Sequence, residues 1–236
     1  MTSGVTTEQD RPFGLLLVDK PADITSHDVV DAARRAYRER SIGHLGTLDP
    51  FATGLLVLLV GRATRLATFI ESEPKVYDVV IAFGMETDTD DLTGAPVRAA
   101  ALPEPDAVAA AISALTGTIT QIPPAFSAKK VAGAIAHRAA RAGRPLELHP
   151  VTVTVHGWDN LSWHGPAALA GTVACSGGTY VRALARDLGR LAGSAAHAAA
   201  LRRTSAGIFH VRDAVPLESL RTAPVPALRA LRVVPD

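Results

Sequence analysis

Residues 43–54 read GHLGTLDPFATG, and the chain runs on through LLVLLV to Gly61. Three glycines, a histidine and one carboxylate share a loop that opens onto an apolar run. Pro50 biases the residue before it toward extended backbone, so Asp49 cannot simply join a helix. Gly43, Gly46 and Gly54 allow unusual backbone angles and close approach of a ligand. A carboxylate held beside so apolar a segment carries a desolvation cost unless a cation meets it. Taken alone, LDP also suits a capping or turn aspartate. Leu55–Val60 reads as a buried strand on which the loop is mounted.

Working outward, GLLLVDKP (14–21) is a short buried strand stopped by proline. Thr25 or Ser26 caps a helix to about Glu39, with Val29, Val30, Ala33 and Tyr37 on one face. Arg34, Arg35, Arg38 and Arg40 crowd the end of that helix, where cations complement its dipole. Ala63–Ser72 reads as a helix and KVYDVVIAFG (75–84) as a strand. The acidic METDTDDLTG (85–94) lacks the spacing and closing glutamate of an EF-hand. It reads as a hairpin or loop whose Asp and Thr side chains bond nearby backbone. A helix over Pro105–Leu115 and a strand in TGTITQIP follow. Residues 123–145, bracketed by prolines and carrying Lys129, Lys130, Arg138, Arg141 and Arg144, suggest a helical excursion with a basic face. VTVTVHGWDNLSW and AALAGTVACSGG form a strand hairpin. Tyr180–Leu191 is a helix with Val181, Leu184, Leu188 and Leu191 in register, which puts Arg182 and Arg186 on another face. Strands and helices mix without strict βαβ alternation, so the fold class is α+β.

The 236 residues can bury a sizeable core, and 47% hydrophobic with 20% charged residues is globular composition. No apolar run approaches the ~20 residues of a membrane span. The first 12 residues lack the pattern of a signal peptide and read as a flexible tail. Cys175 is the one cysteine, which excludes a disulfide framework within the chain and suits a reducing cytoplasm. Residues 1–100 hold 10 Lys/Arg against 15 Asp/Glu, whereas residues 101–236 hold 14 against 8. A basic half suits a polyanion such as nucleic acid, although scattered surface charge fits the same counts.

Several side chains have the chemistry of a site. In GGTYVR, paired glycines turn the chain and set Tyr180 and Arg182 in the first turn of a helix. An arginine there can grip a carboxylate with two hydrogen bonds and keep it ionised. Tyr77 is either a core aromatic or a platform for a nucleobase. His44 suits a turn residue, a general base or a stacking wedge.

In one order, DKP, TSHDVV, GHLGTLDPFATG, KVYDVVIAFG, TDTDD, GGTYVRALARDLG and LRRT together resemble the TruB family of tRNA pseudouridine synthases. The likeness covers roughly residues 13–215. It implies a pseudouridine synthase fold: a mixed, largely antiparallel sheet flanked by helices, with a basic RNA-clasping insertion at about 124–150. It implies isomerisation of uridine 55 in the T-loop of tRNA, with no cofactor and no metal. By the resemblance Asp49 is the nucleophile, Arg182 its ion-pair partner, and Tyr77 the ring that stacks on the target uracil. Tyr180 and Leu201 match substrate-pocket positions, His44 the histidine at the T-loop, and Lys20 a support of the loop. Lys129 and Lys130 belong to the insertion that contacts RNA. The implied partner is the T-arm of tRNA, met by a cytoplasmic monomer with no membrane and no obligatory protein partner. Residues 216–236 are expected to be a short tail without room for a full PUA-like domain.

The chain departs from the family pattern at Phe126, where a tyrosine is common, and at His137-Arg138, in place of a tyrosine-glutamate pair. Both departures lie in the insertion. Two other classes are weighed: a TruB-like RNA-binding or RNA-folding module, and a glycoside hydrolase using Asp49. The hydrolase needs a second carboxylate at a set distance, with Asp19, Asp28 and Asp78 as formal candidates.

Overall fold

A computed structural model describes residues 12–127, 129–131, 133–144, 146–222 and 228–229. Contacts divide the chain into two compact units, Met1–Glu73 with Arg202–Asp236, and Pro74–Leu201. In chain order the first elements are β1 (Gly14–Lys20), α1 (Ser26–Tyr37), β2 (Ile42–Leu45), β3 (Thr53–Val60), β4 (Lys75–Phe83), β5 (Met85–Thr87) and β6 (Pro96–Ala99). Then come α2 (Pro105–Ala114), β7 (Gly117–Gln121), β8 (Lys130–Val131), β9 (Ala134–Ile135), α3 (Ala136–Arg141), β10 (Val151–Trp163) and β11 (Ala168–Cys175). Last are α4 (Val181–Leu191), β12 (Ala196–Ala206), β13 (Phe209–His210), β14 (Val215–Pro216) and α5 (Ser219–Thr222).

In the first unit β3 pairs antiparallel with β1 and β2 and parallel with the end of β12, while β14 adds parallel to β1. The alternation of strand side chains splits the apolar run between two cores. Leu16, Val18, Leu56, Leu58 and Val60 pack with Val29, Val30, Ala33 and Tyr37 of α1. Leu15, Leu17, Leu55, Val57 and Leu59 pack on the other face with Leu45, Ala63 and Ala206. Leu55–Val60 is apolar throughout because both faces of β3 are covered. Thr25 caps α1 in a capping box with Asp28, which fixes where the helix starts. Leu220 of α5 is buried in the α1 core.

In the second unit β4, β11, β10 and β7 form an antiparallel array. Tyr77, Val79, Ile81 and Phe83 of β4 are buried while Asp78, between Tyr77 and Val79, is exposed, the alternation of a sheet with one covered face. α2 packs against α4, and β5 and β6 make the acidic hairpin. Each unit mixes helices with largely antiparallel strands, which bears out the α+β class.

Three readings of local structure are corrected. Gly61–Leu66 is a 3-10 helix, not the start of an α-helix over Ala63–Ser72. Thr64 Oγ1 donates to Gly61 O at 2.8 Å, an alternative partner that competes with helical bonding. The basic insertion is helical only over α3, since β8 and β9 pair around Gly133 at φ 83°. Leu191 is 57% exposed, although Val181, Leu184 and Leu188 are buried. In that last turn the packed side is that of Gly189, where a Cβ would lie 2.6 Å from Ala196, and Leu191 sits about 160° around the helix from it. Residues 1–11, most of the tail beyond 222 and the Lys130 side chain lie outside the described residues. No helix among the described residues is long and apolar enough to cross a membrane.

Candidate active site

In the first unit the Asp49 loop joins β2 to β3 and is held on both sides of the aspartate. Leu48, buried, donates its N–H to Ser26 Oγ at 2.8 Å, and Ser26 Oγ donates to Leu48 O at 3.0 Å. On the other side Pro50 O accepts from Asp23 N at 2.9 Å and from Lys20 Nζ at 3.0 Å. Phe51 and Ala52 are buried behind them, and Asp49 itself is half-buried. Its carboxylate therefore projects from a backbone anchored on either side.

Lys20 is fully buried, and its ammonium also donates to Pro21 O and Ile24 O, each at 2.8 Å. Three carbonyls match the three N–H donors of an ammonium. Burial pushes its pKa down to about 8, while the charges of Asp49, Asp23 and Asp28 pull it back up. Arg203 is fully buried too, donating Nε to Leu55 O at 2.7 Å and NH2 to Gly46 O at 3.1 Å. A side chain on Gly54, at φ 100°, would collide with the Arg203 carbonyl, so glycine is required there. Gly43 meets nothing within 4 Å of a built Cβ, so the fold makes no such demand on it. His44 lies on β2 with Nδ1 buried and, among the described residues, without a hydrogen-bond partner. Burial first, then the charge of Arg203, holds its imidazole below the usual pKa.

In the second unit the turn before α4 ends at Tyr180, the half-buried N-cap. Gln121, at the end of β7, replaces a capping side chain: Tyr180 N donates to its Oε1 at 2.9 Å and its Nε2 donates to Tyr180 O at 3.1 Å. Arg182 is buried and donates NH1 to Thr89 O at 2.6 Å and NH2 to Phe126 O at 3.0 Å, with Asp91 Oδ2 3.5 Å away. One turn on, Arg186 meets Asp90 Oδ2 at 2.7 Å and Ile122 O at 2.9 Å. A further turn on, Arg190 takes both oxygens of buried Glu86, at 3.0 and 2.7 Å. Arginines at i, i+4 and i+8 of one helix thus face the acidic hairpin. Those carboxylates are spoken for: Asp91 Oδ1 also accepts from Thr89 Oγ1, Thr93 N and Thr93 Oγ1. This is the physical reason the acidic turn is not a calcium loop.

Tyr77, buried on β4, stands opposite Val173 of β11. Leu201 is buried in β12. Lys129 is half-buried, its carbonyl accepting Ala136 N at 2.8 Å. His137 sends both its backbone N–H and its ring Nδ1 to Ser127 O, at 3.0 and 3.2 Å, so it ties α3 to the start of the insertion. The hydrolase candidates have structural duties. Asp19 binds Arg202 through both oxygens, at 3.0 and 2.7 Å. Asp28 closes the capping box and has its pKa lowered by Thr25, the wrong direction for a general acid. Asp78 accepts from Thr172 Oγ1 on the neighbouring strand.

Lys20, His44 and Asp49 belong to the first unit, and Tyr77, Lys129, Tyr180, Arg182 and Leu201 to the second. Gln121 and Arg203 were not anticipated from the sequence, which offered Ser26 only as a helix cap and Arg186 only as a neighbour of Arg182 on one helix face. The spacing of Arg182, Arg186 and Arg190 beside an acidic turn was the one available signal for the arginine series.

The sequence model of the TruB family pseudouridylate synthase N-terminal domain matches residues 34–181, and that of the tRNA pseudouridylate synthase B C-terminal domain matches 182–230. The chain belongs to the TruB family. It is 47% identical over 216 residues to the tRNA pseudouridine synthase B of Corynebacterium aurimucosum, covering 89% of this chain and 73% of that protein. The enzyme of the same name from Thermobifida fusca is 46% identical over 216 residues, covering 88% and 74%. A chain in the crystal structure of a Cbf5-Nop10-Gar1 complex superposes with a TM-score of 0.67 at 26% identity, covering 89% of this chain. The TruB chain spans 56% of that longer one. It is a pseudouridine synthase, an isomerase.

Proposed function

We propose that this TruB protein isomerises uridine 55 in the T-loop of tRNA to pseudouridine, with Asp49 as nucleophile and Arg182 as the cation that keeps it ionised. The observation that carries the reading is the backbone around Asp49, latched by Ser26 before it and by Lys20 and Asp23 after it. A nucleophile of modest strength gains most from being held where the reacting carbon will sit. The names of the relatives support tRNA as substrate.

The target nucleotide flips out of the stacked loop, because C1′ and the base faces are otherwise shielded. Tyr77 stacks on the flipped uracil, and His44, Tyr180 and Leu201 line its pocket. The N1–C1′ bond breaks, the uracil rotates, and C5 joins C1′. N1 gains a proton and C5 loses one, so the product is an isomer and no redox partner enters. Asp49 acts at C1′, directly or through a glycal formed by loss of the C2′ proton, or adds at C6; each route frees the C5 hydrogen. Lys20 supports the nucleophile loop, and Lys129 and Lys130 contact RNA from the insertion. The enzyme acts on the T-arm as a cytoplasmic monomer without an obligatory protein partner.

The test is tritium release from tRNA labelled at uridine C5. Asp49→Asn is expected to abolish release and retain tRNA binding, on full tRNA and on a T-arm stem-loop alike. Turnover by that variant would remove Asp49 from its role, and release from the wild type at another uridine would move the target.

A further inference from the structure

The C-terminal end of α1 and the 3-10 turn after β3 present five exposed arginines, Arg35, Arg38, Arg40, Arg62 and Arg65. Their neighbour Arg34 is used by the fold: it binds Asp31 Oδ1 at 3.0 Å, Arg40 O at 3.1 Å and Ile42 O at 3.3 Å. Among the described residues, none of the five guanidinium groups makes an ion pair or a hydrogen bond. Complementing the helix dipole therefore accounts for Arg34 and leaves the other cations unexplained.

They lie on contiguous chain. Gly61 N donates to Ser41 O at 2.7 Å, and the Ser41 and Thr64 hydroxyls are 3.2 Å apart, so residues 39–41 run against residues 61–65. Arg35 and Arg38 line a cavity of about 380 Å³, and Arg62 and Arg65 line a second of about 190 Å³ with Ser41 and Thr64. Glu39, the one carboxylate among the described residues that line the second cavity, is already accepting from Ser41 N at 2.8 Å. The Arg62 guanidinium rests 5.0 Å from the centroid of the Phe13 ring, which holds it in place.

Arg38 adds a backbone argument. It ends α1 at φ 51°, ψ 34°, the left-handed conformation that glycine or asparagine normally takes at a helix stop. An arginine there goes against the local preference, as happens where a side chain serves something other than folding.

We propose that this arginine surface is a second RNA-binding surface, taking tRNA phosphates away from the target nucleotide. The inference rests on the tRNA reading above. α1 has 12 residues and spans ~18 Å between the end that latches the Asp49 loop and the end that bears the arginines, beyond the target nucleotide's own phosphates. Guanidinium forks with nearby hydroxyls suit phosphate oxygens, and their hold falls with salt.

The experiment measures tRNA affinity across salt concentrations, with single-turnover tritium release at saturating enzyme over limiting tRNA, for the variant Arg35→Ala/Arg38→Gly/Arg62→Ala/Arg65→Ala. The slope of log Kd against log salt is expected to shrink by about 3–4, with affinity down on the order of tenfold or more and the saturated rate unchanged. Wild-type affinity and slope in the variant would overturn the proposal. Arg38→Gly alone guards against misfolding: glycine suits the left-handed position, so thermal stability stays equal or rises while the slope shrinks by about 1. Loss of tritium release in the wild type would overturn the tRNA reading itself, separately from these comparisons.

Discussion

Ser26 and Leu48 exchange two hydrogen bonds through one hydroxyl, which accepts from Leu48 N at 2.8 Å and donates to Leu48 O at 3.0 Å. Both residues are buried, so no water substitutes for either bond. The first residue of α1 thereby sets the position of the residue before Asp49.

Ser26→Ala leaves a buried N–H and a buried carbonyl without partners. Denaturant unfolding is expected to show a loss of about 1–3 kcal/mol. In steady-state kinetics kcat should fall more than KM rises, because the loop is displaced and not the RNA grip. Unchanged kcat would make the latch purely a stability feature.

Gly54 and Gly43 bracket the same loop and should respond oppositely to alanine. Gly54→Ala forces a Cβ into the Arg203 carbonyl at a positive φ, and a severe loss of thermal stability or of soluble protein is expected. Gly43→Ala meets open space and should leave the melting temperature within a degree or two of the wild type.

Lys20 gives the loop a pH dependence. Its folded pKa of about 8 lies below the ordinary 10.5, so the folded protein releases this proton first as pH rises. Below about 8 both states hold the proton and the burial penalty is complete; between 8 and 10.5 the unfolded state binds more protons, so this group's contribution to stability rises with pH. The grip on Pro50 O weakens in the same range, because a neutral amine has one donor fewer. Single-turnover rates should therefore decline above about pH 8, and the decline should be absent in Lys20→Met.

Burial raises the Asp90 pKa to about 6, with Arg186 the strongest opposing charge and Arg182 next. An acid with a raised folded pKa favours the folded state fully below its ordinary 3.8 and loses that contribution as pH rises through about 6. Carbon-detected NMR of the Asp90 carboxyl should give a midpoint near 6, displaced upward in Arg186→Met. A downward displacement would contradict the pairing.

Arg182→Lys keeps the charge but loses the planar fork that reaches Thr89 O and Phe126 O together. The expected result is a fall in kcat on the order of 100-fold with tRNA affinity retained. Retained kcat with weakened binding would place Arg182 on a phosphate instead.

The regular elements were legible in the sequence because they are local. Unbroken apolar runs locate β1 and β3, the 2.0 period the β10–β11 hairpin and the 3.6 period α1, α2 and α4, and Thr25 marks a helix start by its own side chain. Asp49 stood out for the same reason: its neighbour Pro50 acts on the adjoining backbone. The insertion was misread where Gly133 and two-residue strands break any period. What only the tertiary structure decided is which polar groups meet. Ser26 and Leu48 are 22 residues apart, Lys20 and Pro50 30, and Arg190 and Glu86 104. Spacing along the chain carries no information about such distances. Burial then makes each of these meetings obligatory, because an unpaired donor or charge inside the protein costs more than the pair contributes.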